Sequence, residues 1–233
     1  ASTITVTDAN AIRRDDAAVA QVSYLIRQGG QTQFGNQNWS TNIQGVTENY
    51  PAMTNWAVAS GRGITDDDED RAALVVVLGQ TVYRQLFAAD ESPVGAVILV
   101  KGVPLRVIGL LAGKGQTAFG MDQDDLVMIP FSTAERKVLG VAAPSQQQVA
   151  INWIYPPAVN PFGIQPRLTG YVNQIYAQAT NPDNVQAAVQ QVTRTLQARH
   201  RIKPGEAPDF SNRNLSQIAE TAESSSHIMA LLL

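Results

Sequence analysis

The chain of 233 residues has no cysteine. Disulfides, thiolate nucleophiles and cysteine-ligated zinc are therefore excluded. The absence fits an oxidising compartment that disfavours stray thiols, although cytosolic chains can lack cysteine too. Histidine is nearly absent as well. His200 and His227 are the only two, and they lie in separate segments rather than four apart on one helix, the spacing of a two-histidine zinc motif. There is no excess of basic residues: 17 Lys and Arg face 20 Asp and Glu, for a net charge of -3. That gives no support for a nucleic-acid partner, which selects for a basic face. No apolar run approaches the ~20 residues that span a bilayer. The start Ala1-Ser2-Thr3 has neither the basic nor the apolar region of a signal peptide. No Gly-x-Ser-x-Gly elbow occurs, so serine-hydrolase chemistry lacks its usual marker.

What is present is 44% hydrophobic residues against only 16% charged. This is enough apolar material for one large domain or two small lobes, under a surface that is polar but weakly charged. Thr7-Asp8 reads as a helix start, with the helix ending near Asp15-Asp16. Residues 19–26 alternate Ala20, Val22, Tyr24 and Ile26 against polar neighbours, which is strand period. Residues 31–46 read as a hairpin about Gly35-Asn36-Gln37-Asn38. A short strand is expected around Trp56–Ala59. Thr65 then caps a helix whose acidic first turn suits the positive end of the helix dipole. The run 74–78 is apolar without alternation and reads as a strand buried on both faces. Gly79 turns it into a helix that buries Val82 and Leu86.

Pro93-Val94-Gly95 breaks the chain. Two strands, 96–101 and 103–111, meet at the turn dipeptide Lys101-Gly102. Residues 126–129 form a further strand, and Ser132 caps a helix through Leu139. The stretch 141–170 is rich in proline and glutamine, with a strand expected near 149–155 and an extended loop after it. Residues 171–177 return as a strand. Pro182 opens an amphipathic helix with Val185, Val189, Val192 and Leu196 on one stripe, closed by Arg199-His200-Arg201. A last helix is expected from Asn212, with Leu215, Ile218, Ala219 and Ala222 on one face. It leads into the apolar end Ile228-Met229-Ala230-Leu231-Leu232-Leu233. We read that end as the beginning of a membrane helix, against the alternative of a terminal helix docking on its own core. The order of elements implies an α+β fold in which both chain ends build one lobe and a strand-rich lobe is inserted.

Candidate chemistry is thin. Asp66-Asp67-Asp68-Glu69-Asp70 lacks the spaced ligands and turn glycine of a calcium loop, so a solvated helix start is the better reading. Asp122, Asp124 and Asp125 form a second acidic cluster, in which Asp125 reads as a loop hydrogen-bonding residue rather than a general acid. Gly109 to Gly115 superficially resembles a phosphate loop. It has three residues between its first glycines instead of four, and Gly115 where the magnesium-binding hydroxyl would stand after Lys114. Phe34, Trp39, Trp56, Trp153 and Tyr155 are candidates for a ligand pocket or for core packing. No residue is assigned as catalytic, cofactor-binding or metal-binding.

An ordered set of short motifs is more specific than any of these. Ile43-Gln44-Gly45-Val46-Thr47, Gly61-Arg62, Val76-Val77-Leu78-Gly79, Leu86-Phe87, Pro93-Val94-Gly95, Val107-Ile108-Gly109, Asp124-Asp125, Ile129-Pro130, Ser132-Thr133-Ala134 and Arg199-His200 follow one another along the chain. Together they resemble the periplasmic core domain of MacB-like ABC transporter permeases, the macrolide-exporter type, within the FtsX/LolC-related superfamily. The chain departs from that pattern in the proline-rich stretch around 156–170. The resemblance implies two lobes: a Porter-like α/β lobe, here residues 1–87 and 170–233, and an inserted strand-rich Sabre-like lobe, residues 88–169. It implies a place on the periplasmic side of the bacterial inner membrane, attached through flanking membrane helices.

The partners it implies are a second copy of the permease in a homodimer, a periplasmic adaptor protein and a TolC-like outer-membrane channel. ATP hydrolysis would sit on a separate nucleotide-binding domain, and this domain would need no cofactor. Two alternatives stand beside that reading. One is a periplasmic module binding a small molecule or peptide near Trp39 and Trp153, or a related lipoprotein-release or cell-division role. The other is an enzyme using Asp124 and Asp125.

Overall fold

The computed structural model describes residues 4–117, 120–140, 170–203, 205–214 and 228–232. The first helix, α1 (Val6–Asp15), begins two residues earlier than its sequence suggests. Thr5 and Asp8 sit three apart and form a capping box: the Thr5 hydroxyl accepts the Asp8 N–H while the Asp8 carboxylate accepts the Thr5 N–H at 2.9 Å. The same device recurs at α3 (Asp66–Asp70), where Thr65 and Asp68 cap each other.

The expected strand 19–26 and the first hairpin arm are one strand, β1 (Val19–Phe34). It passes through Gly29-Gly30 without breaking because it is paired along both halves. Its first half lies against β8 (Gln174–Ala179), and from Leu25 onward it lies against β2 (Gln37–Val46). Gly30 serves packing here, since a methyl group on it would fall 2.5 Å from the Ile43 side chain. A two-residue turn at Gly35-Asn36, with Gly35 at φ +58°, closes the hairpin.

The next elements follow the periodicity closely. After the short helix α2 (Tyr50–Met53) come β3 (Val58–Gly61), β4 (Val75–Leu78) and α4 (Gln80–Leu86). β5 (Val97–Val100) and β6 (Val103–Leu111) meet at Lys101-Gly102, both with positive φ. β7 (Leu126–Pro130) leads into α5 (Phe131–Thr133), which continues as a wide π-helical turn over Ala134–Val138. Ser132 is not its cap. The Ser132 N–H donates to the Glu69 carboxylate at 2.9 Å and its hydroxyl to the Glu69 carbonyl, so it joins this helix to α3 instead.

These strands close into a ring. β1 pairs with β2 antiparallel, β2 with β7 parallel, β7 with β4 antiparallel, β4 with β6 parallel, β6 with β5 antiparallel, and β5 with β1 antiparallel. Closure leaves these six strands few free edges. Successive residues of β7 fall alternately into two apolar clusters, with Val127 and Ile129 in one and Leu126 and Met128 in the other. β4 behaves the same way, splitting Val76 and Leu78 from Val77. Both strands are therefore buried on both faces, as the unbroken apolar run 74–78 implies.

The remaining elements extend the sheet past β1. β8 carries β10 (Ile228–Leu232), which in turn carries β9 (Ser211–Asn214). A 3₁₀ turn at Pro182–Asn184, capped by Asn181, opens α6 (Val185–Arg199). α6 buries Ala188, Val192 and Leu196.

Two expectations change here. Residues 228–232 form a strand rather than a helix turn: their backbone pairs antiparallel with β8 from Ile228 opposite Gln178 to Leu232 opposite Gln174. An apolar pentapeptide fits a sheet strand as well as a helix turn, and the neighbouring strand decides. Residues 211–214, where the last helix was expected to begin, are also strand. The expected strand 149–155, the loop after it, Leu215, Ile218, Ala219, Ala222, His227, Trp153 and Tyr155 lie outside the described residues. β4, before residue 87, pairs with β6 and β7 after it. Along β1 the pairing partner changes at Leu25.

Candidate functional site

Gly79 fixes the geometry of the acidic loop. It precedes α4 and lies so close to the loop that a methyl group there would sit 2.2 Å from the Asp124 carbonyl oxygen and 2.8 Å from that of Leu126. No side chain fits in that gap. Gly61 and Gly109 face each other across β3 and β6 for the same reason. A methyl group on Gly109 would meet the Arg62 carbonyl oxygen at 2.2 Å. Gly61, Gly79 and Gly109 thus mark close backbone approach rather than a phosphate cradle.

With the loop held there, each aspartate has a partner. The buried Asp124 carboxylate accepts the N–H groups of Lys114 at 2.8 Å and Gly115 at 2.9 Å. Asp122 accepts the Thr81 hydroxyl at 2.6 Å and the Asp124 N–H at 2.8 Å. Asp125 accepts the Trp39 indole N–H at 2.9 Å and the Thr41 hydroxyl at 2.7 Å. The cluster therefore pins β2, α4 and the loop after β6 together. The partners of the three carboxylates are N–H and hydroxyl donors of β2, α4 and the neighbouring loops, which suits a loop-holding role.

Lys114, the would-be phosphate lysine, points elsewhere. Its ammonium donates to the Thr54 carbonyl and lies 4.5 Å from the centre of the Trp56 ring. Burial holds its pKa below the ordinary lysine value, partly opposed by Asp124.

The aromatic candidates are mostly structural. The Trp56 indole is buried and donates to the Ala112 carbonyl at 2.9 Å. Phe34 stacks on Phe87 with ring centres 4.2 Å apart. Trp39 is half-buried. Thr41 and Asp125, which Trp39 helps to fix, line an open cleft of about 510 Å³ with Gly29, Ser40, Asn42 and Asp122. The exposed Met121 stands at its rim.

The acidic run at α3 is a capped helix start. Asp68 pairs with Arg62 and Asp67 with Arg71. Glu69 departs from the surface reading. Burial pushes its pKa up to about 7, against the hydrogen bonds it accepts from Ser132 and Phe131, and its second carboxyl oxygen is buried without a partner. Among the described residues, no group of three or more His, Asp or Glu side chains is placed to hold a metal ion.

The junction of α1 and α6 could not be assembled from sequence spacing. Asp8 is buried and accepts Arg199 Nε at 2.6 Å, and the His200 imidazole lies between Asp8 and Asp209. Burial alone would raise the Asp8 pKa, but hydrogen bonds from Arg199, Thr5 and His200 outweigh it and leave the carboxyl below its ordinary value. The signal that was available was the T-x-x-D spacing of Thr5 and Asp8. It marks Asp8 as a capping residue, though not as an ion-pair partner 191 positions away.

Comparison with known proteins gives this arrangement its relatives. The MacB-like periplasmic core domain family matches residues 1–195. The macrolide export ATP-binding/permease protein MacB of Syntrophobacter fumaroxidans is 30% identical over 260 residues, covering 99% of this chain and 36% of the relative. MacB of Rhodopirellula baltica is 34% identical over 202 residues, covering 86% of this chain and 29% of the relative. The chain thus spans about a third of these relatives.

Among solved structures, the periplasmic region of MacB from Actinobacillus actinomycetemcomitans superposes with a TM-score of 0.67 at 23% identity, over 95% of this chain and 84% of that one. The extracellular domain of the noncanonic ABC-type transporter YknZ from Gram-positive bacteria gives 0.62 at 17%, over 86% of each chain. Both share the α+β fold expected from the sequence. By the span of the family match and by these relatives, the chain belongs to the MacB-like periplasmic core domain family.

Proposed function

We propose that this domain works as the periplasmic part of an ABC transporter permease, converting ATP-driven movement of membrane segments into substrate expulsion, and that it docks a periplasmic adaptor of a tripartite efflux pump. One observation carries the reading. The first and last described segments meet at the same end of one strand. Thr5 bridges to Tyr171, just before β8, and Leu232 pairs with Gln174, the first residue of β8. A domain so arranged moves as a unit when the segments on either side of it move. The two-lobe division is part of this proposal. The lobe built from both ends comprises α1, the first half of β1, β8, α6, β9 and β10, and the inserted lobe comprises the closed ring.

In this reading the chain does no covalent chemistry. ATP hydrolysis belongs to a separate cytoplasmic nucleotide-binding domain, and the second permease copy, a periplasmic adaptor and a TolC-like outer-membrane channel complete the assembly, with this domain on the periplasmic side of the inner membrane. The test is a transporter of the MacB type whose own periplasmic domain is replaced by residues 1–233. Export restored by the chimera, with no ATP hydrolysis by the isolated chain, is the expected outcome. ATP turnover by the isolated chain, or an assembled, ATP-hydrolysing chimera that exports nothing, contradicts the reading.

A second reading rests on the cleft beside Trp39. Its polar lining and fixed Asp125 suit a cationic or hydroxylated small molecule. Saturable quenching of tryptophan fluorescence by such a ligand, lost in Trp39→Phe, would favour it.

A further inference from the structure

One imidazole stands between two carboxylates where α1, α6 and the chain leading to β9 come together. His200 caps the C-terminal end of α6. Its Nδ1 lies 2.9 Å from both carboxylate oxygens of Asp209, and its Nε2 lies 3.3 Å from Oδ2 of Asp8. A neutral imidazole has one N–H and one lone pair. It can donate to only one of these carboxylates and must turn its lone pair toward the other. The doubly protonated ring donates to both. The charged groups that face it are Asp8 from α1, Asp209 from the chain before β9, and Arg199 from its own helix, which is itself engaged with Asp8. The other close neighbour, Phe210, meets the ring edge-on at 6.1 Å. Two carboxylates against one guanidinium leave a negative surrounding, and a cation is favoured there.

We propose that His200 is a proton-operated clasp: doubly protonated, it ties Asp8 at the start of α1 to Asp209 ahead of β9, and loss of one proton frees one of the two. Opening is local. Arg199 still holds Asp8 when the ring is neutral, so the α1–α6 contact persists while the tie from Asp8 through the ring to Asp209 is lost. Burial would depress the imidazole pKa, but the bonds to Asp209 and Asp8 outweigh it and leave it raised. A raised histidine contributes stability that is fully present below its unfolded value of about 6.5 and is lost as pH rises through the folded value. Asp8, lowered, contributes stability above its unfolded value that is lost as pH falls through the folded one. The clasp is therefore tightest in mildly acidic solution, between those two limits.

The test is an NMR titration of the His200 ring in this chain, paired with amide hydrogen exchange of residues 209–211 as a function of pH. We expect both ring nitrogens to be protonated at about pH 6, with a midpoint above the ordinary ~6.5 that falls in Asp209→Asn. Exchange protection of 209–211 should drop as pH crosses the midpoint, by about tenfold for each unit that the folded value exceeds the unfolded one. In His200→Gln the same protection should stay flat. A ring that titrates at or below ~6.5, a midpoint unmoved by Asp209→Asn, or a protection profile that is the same in His200→Gln overturns the proposal.

Discussion

The six-stranded ring and the half built from the chain ends are held together by different forces. The ring is fixed by shape. Its strands close on one another, its apolar side chains fill both faces of β4 and β7, and Gly79 and Gly109 leave no room for a side chain. The chain-end half shares the same apolar core through Ile12, Ile175 and Leu196, but its junction is held by ionised groups: Asp8, Arg199, His200 and Asp209. Steric and apolar contacts are insensitive to protons and salt, whereas partly exposed ion pairs respond to both. Packing should therefore dominate the ring, with Glu69 its proton-sensitive exception, while the chain-end junction should respond to protons and salt. β1 runs from one into the other.

That contrast can be broken most forcefully inside the ring. Leu105 is fully buried, and Leu105→Ala should cost about 2–5 kcal/mol, read as a lower urea midpoint that does not depend on salt. Next comes Gly79→Val. Its branched side chain must displace the backbone of the acidic loop, at about 1–3 kcal/mol. Gly29→Ala, with nothing within 4 Å of the new methyl group, is the control and should change stability by less than about 0.5 kcal/mol.

In the chain-end half, Asp8→Ala removes the carboxylate half of the α1 capping box and the Arg199 partner together. Loss of that hydrogen bond to the Thr5 N–H alone is worth about 0.5–1.5 kcal/mol, and unlike the ring variants the total loss should shrink in high salt.

Glu69 sharpens the comparison through pH. Its carboxyl is raised to about 7, so the folded state favours the protonated acid. Stability should fall as pH climbs from the unfolded value near 4.5 through 7, and Glu69→Gln should flatten that slope in thermal melts. Least of all, Asp67→Ala breaks an exposed pair with Arg71 and should shift stability by under about 0.5 kcal/mol.

Legibility from sequence divides along the same line. The ring's strands could be read because burial imposes period: the unbroken run 74–78, the alternation about Lys101-Gly102 and the apolar 126–129 each lie within a residue or so of an observed strand. Motif order was equally informative, since Gly61, Gly79 and Gly109 each occupy a place where backbones touch. The chain-end half was harder. Residues 228–232 are apolar enough for either helix or strand, and only β8, some fifty residues away in sequence, decides between them. Ser132 has the residue type of a cap but is drawn to Glu69, a partner 63 positions off. The His200 cluster depends on three segments meeting in space, which no local spacing encodes.

Because this chain has no cysteine, one introduced into it is unique within the domain. A single spin label at Met121→Cys, an exposed position at 65% accessibility, placed in both copies of an assembled transporter carrying this domain, reports the distance between them by pulsed electron resonance. The account predicts that the distance distribution shifts when ATP binds and returns after hydrolysis. An unchanged distribution in a transporter that is hydrolysing ATP would contradict it.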